Sequence, residues 1–388
     1  MRLRRASCLT CYWHDGEFVV HPYPGGTPTA LHPAAAEILA AFDTWVEPAK
    51  AAEGLDHLHP DTVAEAAQVL HEAGALVAEG TAEADRDGQV AHRWQSWSPE
   101  ASFFHYATQD IGTSDARLED AVRPAGQTAA EGTAATAADG PSHVLFTEYP
   151  DADRVLLPRP PAELTLPYGQ VLYARRTHRD FTDDPVPLPT LALLLSTVFG
   201  PVDYIDSGKG ALFRRTSPAG GSRQELDAYL GILNVTGLAP GMYHYNVREH
   251  SVELLSPGMD RDETARLGAD QDWFGNVAFF VVLAAVIDRM SSKYGSPRCY
   301  RVSLLNAGHL GQTFALTATA LGLGPAQTGA FSDTPLADRL GLDNIGHTPL
   351  YVLAAGIPHP DPQLAAPQAT LDTFRTRPAT KPRPDPQA

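Results

Sequence analysis

Ser292-Lys293-Tyr294-Gly295-Ser296-Pro297-Arg298-Cys299-Tyr300-Arg301 is followed closely by Asn306-Ala307-Gly308-His309-Leu310. The stretch sets a lysine, a tyrosine and two arginines just before a long small-residue helix, with few apolar residues to hold them. Packing does not explain such a cluster, and a lysine–tyrosine pair can move protons once the amine is neutral. Alone, the segment is equally readable as a solvated loop with incidental charges. Its company matters: Arg175-Arg176-Thr177-His178-Arg179 and Ser217-Pro218-Ala219-Gly220-Gly221 lie upstream, and Gly322-Leu323-Gly324 and Thr328-Gly329-Ala330-Phe331 lie downstream.

A chain of 388 residues with 43% apolar content can bury a large core and is expected to hold two domains with linkers. A net charge of −17 argues against nonspecific binding to nucleic acid or to an anionic membrane, which both need a basic face. The N-terminal Arg2, Arg4 and Arg5 are not followed by an apolar signal core. The longest apolar run, 277–287, is shorter than the ~20 residues that cross a bilayer. The expectation is a soluble cytoplasmic protein. Three cysteines make no disulfide framework. Cys8-Leu9-Thr10-Cys11 has redox or zinc spacing, but no second Cys or His pair completes a four-ligand site, so no metal is assigned.

Residues 1–80 read as a small domain. Phe18–Val20 is expected to be a strand, 33–42 a helix, and Asp61 the N-cap of a second helix bearing Val63, Ala66, Ala67 and Leu70 and ending at Gly74. Ala75–Ala78 would close it as a strand, a winged-helix-like pattern. Residues 81–160 read as a linker. It is low in complexity over 131–140 and carries an aromatic island (Trp94, Trp97, Phe103, Phe104, His105, Tyr106) that serves as an anchor or, alternatively, a ligand site. Residues 161–357 have α+β character, with helices expected at 171–177, 188–199 and 304–321 and strands at 225–234, 241–245, 252–255, 277–286 and 349–355. The Pro-rich tail 358–388 would be disordered or an arm on a partner subunit.

Three guanidinium groups and a hydroxyl at Arg175, Arg176, Thr177 and Arg179 suit a phosphate and a sugar-like chain, though a basic surface patch reads the same way. The small-residue loop Ser217, Pro218, Ala219, Gly220, Gly221 permits close approach of backbone to a flat ligand, or is an ordinary turn. Neither Walker nor Rossmann spacing occurs.

Taken in order, these segments resemble the nitroreductase-like flavoenzymes, and among them the azoline dehydrogenases of the SagB/ThcOx type, over about Tyr173 to Gly356. The motifs are Arg-Arg-Thr-His-Arg-Asp-Phe (175–181), Ser-Pro-Ala-Gly-Gly (217–221), Gly-Leu-Ala-Pro-Gly-Met-Tyr-His-Tyr (237–245), Lys293-Tyr294-Gly295, Tyr300-Arg301, Gly308-His309, Gly322-Leu323-Gly324 and Pro349-Leu350-Tyr351-Val352. The resemblance implies an α+β fold with a central antiparallel-type sheet flanked by helices, dimeric through the small-residue helix, and an FMN cofactor. It implies that Arg175, Arg176, Thr177 and Arg179 hold the phosphate and ribityl chain, and that Ser217, Pro218, Ala219, Gly220 and Gly221 line the flavin. Gln327, Thr328, Gly329 and Ala330 would lie against its ring. Lys293 and Tyr294 match the proton-transfer motif; Lys293 is the base only where a nearby cation or burial lowers its pKa, and Arg298 and Arg301 are the cations available for this. The chain departs from the pattern at Thr177 and Ala219, where serine is usual, and at His347, where glutamate often stands. Arg375 or Arg377 would complete the phosphate site.

The activity implied is oxidation of thiazoline or oxazoline rings in a precursor peptide to thiazole or oxazole. The implied partners are that peptide, a second copy of the chain and a cyclodehydratase complex. The N-terminal module resembles winged-helix leader-binding domains. The alternatives are a nitroreductase or peptide reductase with a nicotinamide donor, and a non-catalytic leader-binding scaffold.

Overall fold

The computed structural model describes residues 1–111, 123–124, 144–159, 164–206 and 211–360. These fall into two compact units. One contains the residues up to 140 together with 293–299; the other contains 141–292 and the chain from 300 onward.

In the first unit, β1 (Leu3–Arg5) is followed by the hairpin β2 (Leu9–His14) and β3 (Glu17–Pro22), and then by β4 (Thr29–Leu31). The hairpin turns at Asp15-Gly16, both with positive φ, which is the backbone that a tight two-residue connection requires. Helices α1 (Ala35–Ala40), α2 (Pro48–Ala52) and α3 (Pro60–Glu72) follow, then β5 (Leu76–Ala78), antiparallel to β1. The core is Leu3, Phe18, Val20, Ile38, Phe42 and the α3 stripe Val63, Ala67, Leu70. The cap of α3 is His59, whose ring accepts from the Asp61 N–H, and Pro60 takes the first helical position; Asp61 therefore lies inside the helix instead of capping it.

The stretch expected to be a linker contains α4 (Ala82–Trp94) and α5 (Pro99–Ala107). The reason lies in Asp87. Its buried carboxylate accepts from the Ser7 and Cys8 amides and from the Arg4 guanidinium, fastening α4 to the start of the chain. Trp94, Phe103 and Tyr106 then pack on Cys8, Tyr23 and Val90. A short strand β6 (Arg123–Pro124) lies parallel to β4. The low-complexity run 131–140 and the tail beyond 360 lie outside the described residues.

The second unit is built on a seven-stranded antiparallel sheet. Its strands are β7 (Arg154–Leu156), β10 (Leu226–Ile232), β11 (Gly241–Asn246), β12 (Ser251–Pro257), β13 (Phe279–Val286), β14 (Gly324–Thr328) and β15 (His347–Gly356), in the order β14-β15-β13-β10-β11-β12-β7. A separate hairpin, β8 (Asp203–Asp206) and β9 (Ala211–Arg214), precedes β10. The helices are α6 (Tyr168–Ala174), α7 (Leu188–Phe199), α8 (Arg261–Leu267), α9 (Ile287–Ser291), α10 (Cys299–Ala320) and α11 (Asp333–Leu340).

The unbroken apolar run at β13 has a direct cause, since both faces of that strand are covered. Phe279, Val281 and Leu283 join one core with α7 and with Ala307, Leu310, Phe314 and Ala318 of α10. Phe280, Val282 and Ala284 join the other with Phe274, Leu336 and Leu340. Among the described residues, no helix is long and apolar enough to cross a membrane.

Candidate functional site

α6 ends at Ala174, and Arg175 already has extended backbone (φ −54°, ψ 125°). The sequence Arg175–Arg179 is thus not the helix face expected but an extended strap. It is fastened to β14 by the His178 amide, which donates to the Pro325 carbonyl at 2.9 Å. Arg176 folds back and donates to the Tyr173 and Arg175 carbonyls, both at 2.8 Å. Thr177 and Arg179 are exposed. The Arg175 and Arg179 side chains make no hydrogen bond or ion pair with a described residue.

The loop after β9 is fixed from below by Arg215. Its buried guanidinium donates to the Phe199 carbonyl at 2.8 Å and to the Leu226 carbonyl at 3.0 Å. Burial pulls its pKa down to about 10, against the pull of the Asp227 carboxylate. Thr216 donates to Thr197 of α7. Ser217 lies 2.6 Å from the Thr313 hydroxyl, and the Gly220 amide donates to Asn306 Oδ1 at 3.2 Å. At Gly220 a Cβ would come within 2.4 Å of Val302, so glycine is required for the loop to lie this close to α10.

Gln327, near the end of β14, reaches the same helix from another side. Its amide nitrogen donates to the Gly311 carbonyl, and its oxygen accepts from the Tyr351 hydroxyl at 2.9 Å. Thr328 and Ala330 are held by Gln271, whose amide reaches the Thr328 hydroxyl and the Ala330 carbonyl. Gly329 is exposed and has open space around it. One turn of α10, His309 to Thr313, therefore collects the 217–221 loop and Gln327, while β14 links Gln327 to the 175–179 strap.

Lys293 and Tyr294 are placed differently. They belong to the short segment 293–299 that groups with the first unit. Arg298 secures it there by donating to the Thr108 carbonyl at 2.8 Å. Lys293 is exposed, with Nζ 5.0 Å from the centre of the Tyr294 ring. His347 is half-buried, 3.7 Å from Asp227 and 3.4 Å from the Tyr229 hydroxyl. Burial lowers its pKa against the pull of Asp227. Sequence reasoning gave no role to Asn306 or Tyr351, although both stand in quoted motifs, and missed Gln271 and the buried group around Asp227. The available signal was polar residues inside apolar strands, such as Asp227 within Leu226–Leu230.

Residues 172–357 match the model of the nitroreductase family. This segment is a nitroreductase-family domain. Over 186 residues the chain is 28% identical to a nitroreductase-like protein of Methanocaldococcus jannaschii, covering 48% of this chain and 88% of that protein. It is 26% identical to the trifolitoxin-processing protein TfxB of Rhizobium leguminosarum bv. trifolii, covering 42% of this chain and 47% of the relative. The chain thus spans about half the length of that relative. A solved nitroreductase-like structure from Anabaena variabilis aligns with a TM-score of 0.48 at 23% identity, over 61% of this chain and 46% of the other.

The donor set of the nitroreductase-family domain fits a phosphate-bearing planar cofactor. Two guanidinium groups that no described residue engages suit a phosphate. The open space at Gly329 and the exposed Gly221 leave backbone accessible to a flat ring. Among the described residues, no group of three or more His, Cys, Asp or Glu side chains could hold a metal ion.

Proposed function

We propose that the nitroreductase-family domain binds FMN and that the protein dehydrogenates thiazoline or oxazoline rings of a ribosomally made precursor peptide. The observation that carries the cofactor half is the convergence of the 217–221 loop and Gln327 on one turn of α10, with guanidinium groups on the adjoining strap that no described residue engages. The peptide half is supported by the similarity to a trifolitoxin-processing protein and by the Lys293-Tyr294 motif.

Arg175 and Arg179 would hold the phosphate and Thr177 a ribityl hydroxyl, while Ser217 to Gly221 and Gln327 to Ala330 would line the ring. FMN, when bound, supplies the two-electron acceptor that aromatisation of an azoline requires. Lys293, as the neutral amine, would take the proton from the ring α-carbon, and Tyr294 would orient the heterocycle. The ring would lose a hydride from the neighbouring carbon, and molecular oxygen would be the final acceptor of the electron pair. The first unit, which carries Lys293, would bind the precursor's leader through its winged-helix-like elements. A second copy of the chain and a cyclodehydratase are the proposed protein partners.

The test uses the full chain incubated with FMN and an azoline-containing peptide. Flavin absorption bands, oxygen uptake and a mass loss of two hydrogens per ring are expected. A protein that takes up no FMN would overturn the reading. The archaeal relative, covered over 88% of its length, favours a second reading: reduction driven by a nicotinamide donor. Steady NADPH oxidation without ring oxidation would select it.

A further inference from the structure

The loop that leads into β10 holds an unfavourable backbone. Gly221, Ser222 and Gln224 have φ of +60°, +53° and +50°. Glycine accepts this region; the other two persist there only where their surroundings overdetermine them. Gln224 is tied at two points. Its side chain donates to the Phe213 carbonyl at 3.1 Å, and its own carbonyl accepts from Arg289 at 3.2 Å. Toward the other end, Ser217 meets the Thr313 hydroxyl and the Pro218 carbonyl meets His309, and between these and Gln224 the Gly220 amide donates to Asn306 Oδ1 at 3.2 Å.

That contact has a polarity which a third residue determines. Asn306 Nδ2 donates to Glu225 Oε1 at 2.9 Å. An amide can present either end, but an ionised carboxylate only accepts, so Glu225 turns the amide nitrogen toward itself and leaves the oxygen for Gly220. Both residues are buried, Asn306 at 4% and Glu225 at 1% exposure. Glu225 Oε2 has no hydrogen-bond partner among the described residues. Glu225 also lines a hollow of about one water's size beneath the loop, together with Arg215, Ser217 and Asn306. Keeping a carboxylate with an unsatisfied oxygen in so closed a place costs stability, and nothing in the two apolar cores requires it.

We infer that Glu225 and Asn306 form a clamp of fixed polarity that holds the strained loop 217–224 in the shape that receives the cofactor. They are positioning residues and touch no ligand. The structural part stands without the cofactor; the consequence for FMN rests on the proposed function.

The experiment compares amide hydrogen exchange of residues 217–224 in flavin-free protein with the FMN dissociation constant. Asn306→Asp sets two acceptors face to face. The loop should exchange about tenfold faster and bind FMN about tenfold more weakly, the size of one buried hydrogen bond lost. Adding Glu225→Gln reverses the polarity: the introduced amide donates to the introduced carboxylate, whose second oxygen still accepts from Gly220. Loop exchange and FMN affinity should then return to near the wild-type values. Asn306→Asp with wild-type loop exchange, or a double variant no better than the single one, overturns the clamp. If Asn306→Asp does not fold, the double variant decides alone, and its failure to fold with wild-type loop exchange overturns the clamp. Wild-type protein that takes up no FMN would count against the proposed function only, and the exchange comparison would still decide the clamp.

Discussion

Arg289 of α9 and Asp227 of β10 form a buried ion pair at 2.6 Å, exposed by only 2% and 6% at their side chains. Thr147 closes the group by donating to Asp227 Oδ2 at 2.5 Å and accepting from Arg289 at 2.9 Å. Burial alone would push the Asp227 carboxyl up, but the Arg289 charge and hydrogen bond take it below its ordinary value. The pair also orders the chain entering the second unit, because Arg289 Nε donates to the Val144 carbonyl. Arg289→Met should leave an uncompensated buried carboxylate and cost about 3–5 kcal/mol in chemical denaturation. Asp227→Asn in the same background should recover part of that loss, since the orphaned charge is then gone. A loss under about 1 kcal/mol for Arg289→Met would show that the pair is not structural in this way.

The strap gives a prediction that separates its three arginines. The Arg175 and Arg179 side chains are unengaged by the described residues, whereas Arg176 already spends its guanidinium on two carbonyls. Arg175→Ala and Arg179→Ala should each weaken FMN binding by about 1.5–3 kcal/mol, the size of a charge-assisted contact. Arg176→Ala should weaken it less and act mainly on the end of α6. Flavin content after purification and a titration by fluorescence measure all three. Equal losses at the three positions would contradict this ordering.

Most of the sheet was legible because burial writes itself into strands. The run Val277–Ile287 and the stretch from Leu226 could be read as strands since nearly every position is apolar, and α7 was bounded by its own Pro and Gly. The strap was misread as helix because Val171 to Tyr173 are helical and nothing local marks the change at Arg175; tertiary pairing to Pro325 decides it. α4 was missed because its buried contact is a carboxylate, Asp87, which composition counts as solvent-facing. Asn306 lay inside a quoted motif, yet its partners Gly220 and Glu225 are more than 80 residues away. No spacing rule connects them.

Lys293 and Tyr294 carry the chemical half of the proposal, and the flavin-lining residues carry the other. Lys293→Ala and Tyr294→Phe should therefore keep FMN but lose turnover by about 10²–10⁴-fold if proton abstraction limits the rate. Arg298→Ala, which releases segment 293–299 from the Thr108 carbonyl, should lower kcat by a smaller factor with FMN affinity unchanged. Single-substrate kinetics on an azoline peptide, with flavin content measured in parallel, check all three. Near wild-type turnover in Lys293→Ala would remove the assignment even in a protein that binds FMN.

The last prediction concerns acid stability of the first unit. His21 sits on β3, with the Tyr12 hydroxyl 3.1 Å from Nδ1 and the Phe103 ring edge-on at 5.0 Å. Burial pushes its pKa down to about 4. Its unfolded value is about 6.5, so the folded state favours the neutral ring. The sign follows: this stability is fully present above pH 6.5 and is lost as pH falls toward 4, by up to about 3 kcal/mol at 1.4 kcal/mol per unit. Four of the five tryptophans, Trp13, Trp45, Trp94 and Trp97, lie in this unit, so their fluorescence follows its unfolding. The urea midpoint should fall steadily between pH 6.5 and 5, before most carboxylates titrate. His21→Phe should flatten that slope, although it gives up the bond to Tyr12 and starts from a lower midpoint at pH 7. A wild-type midpoint that does not move across this window, or a variant with the same slope, would show that His21 does not set the acid sensitivity.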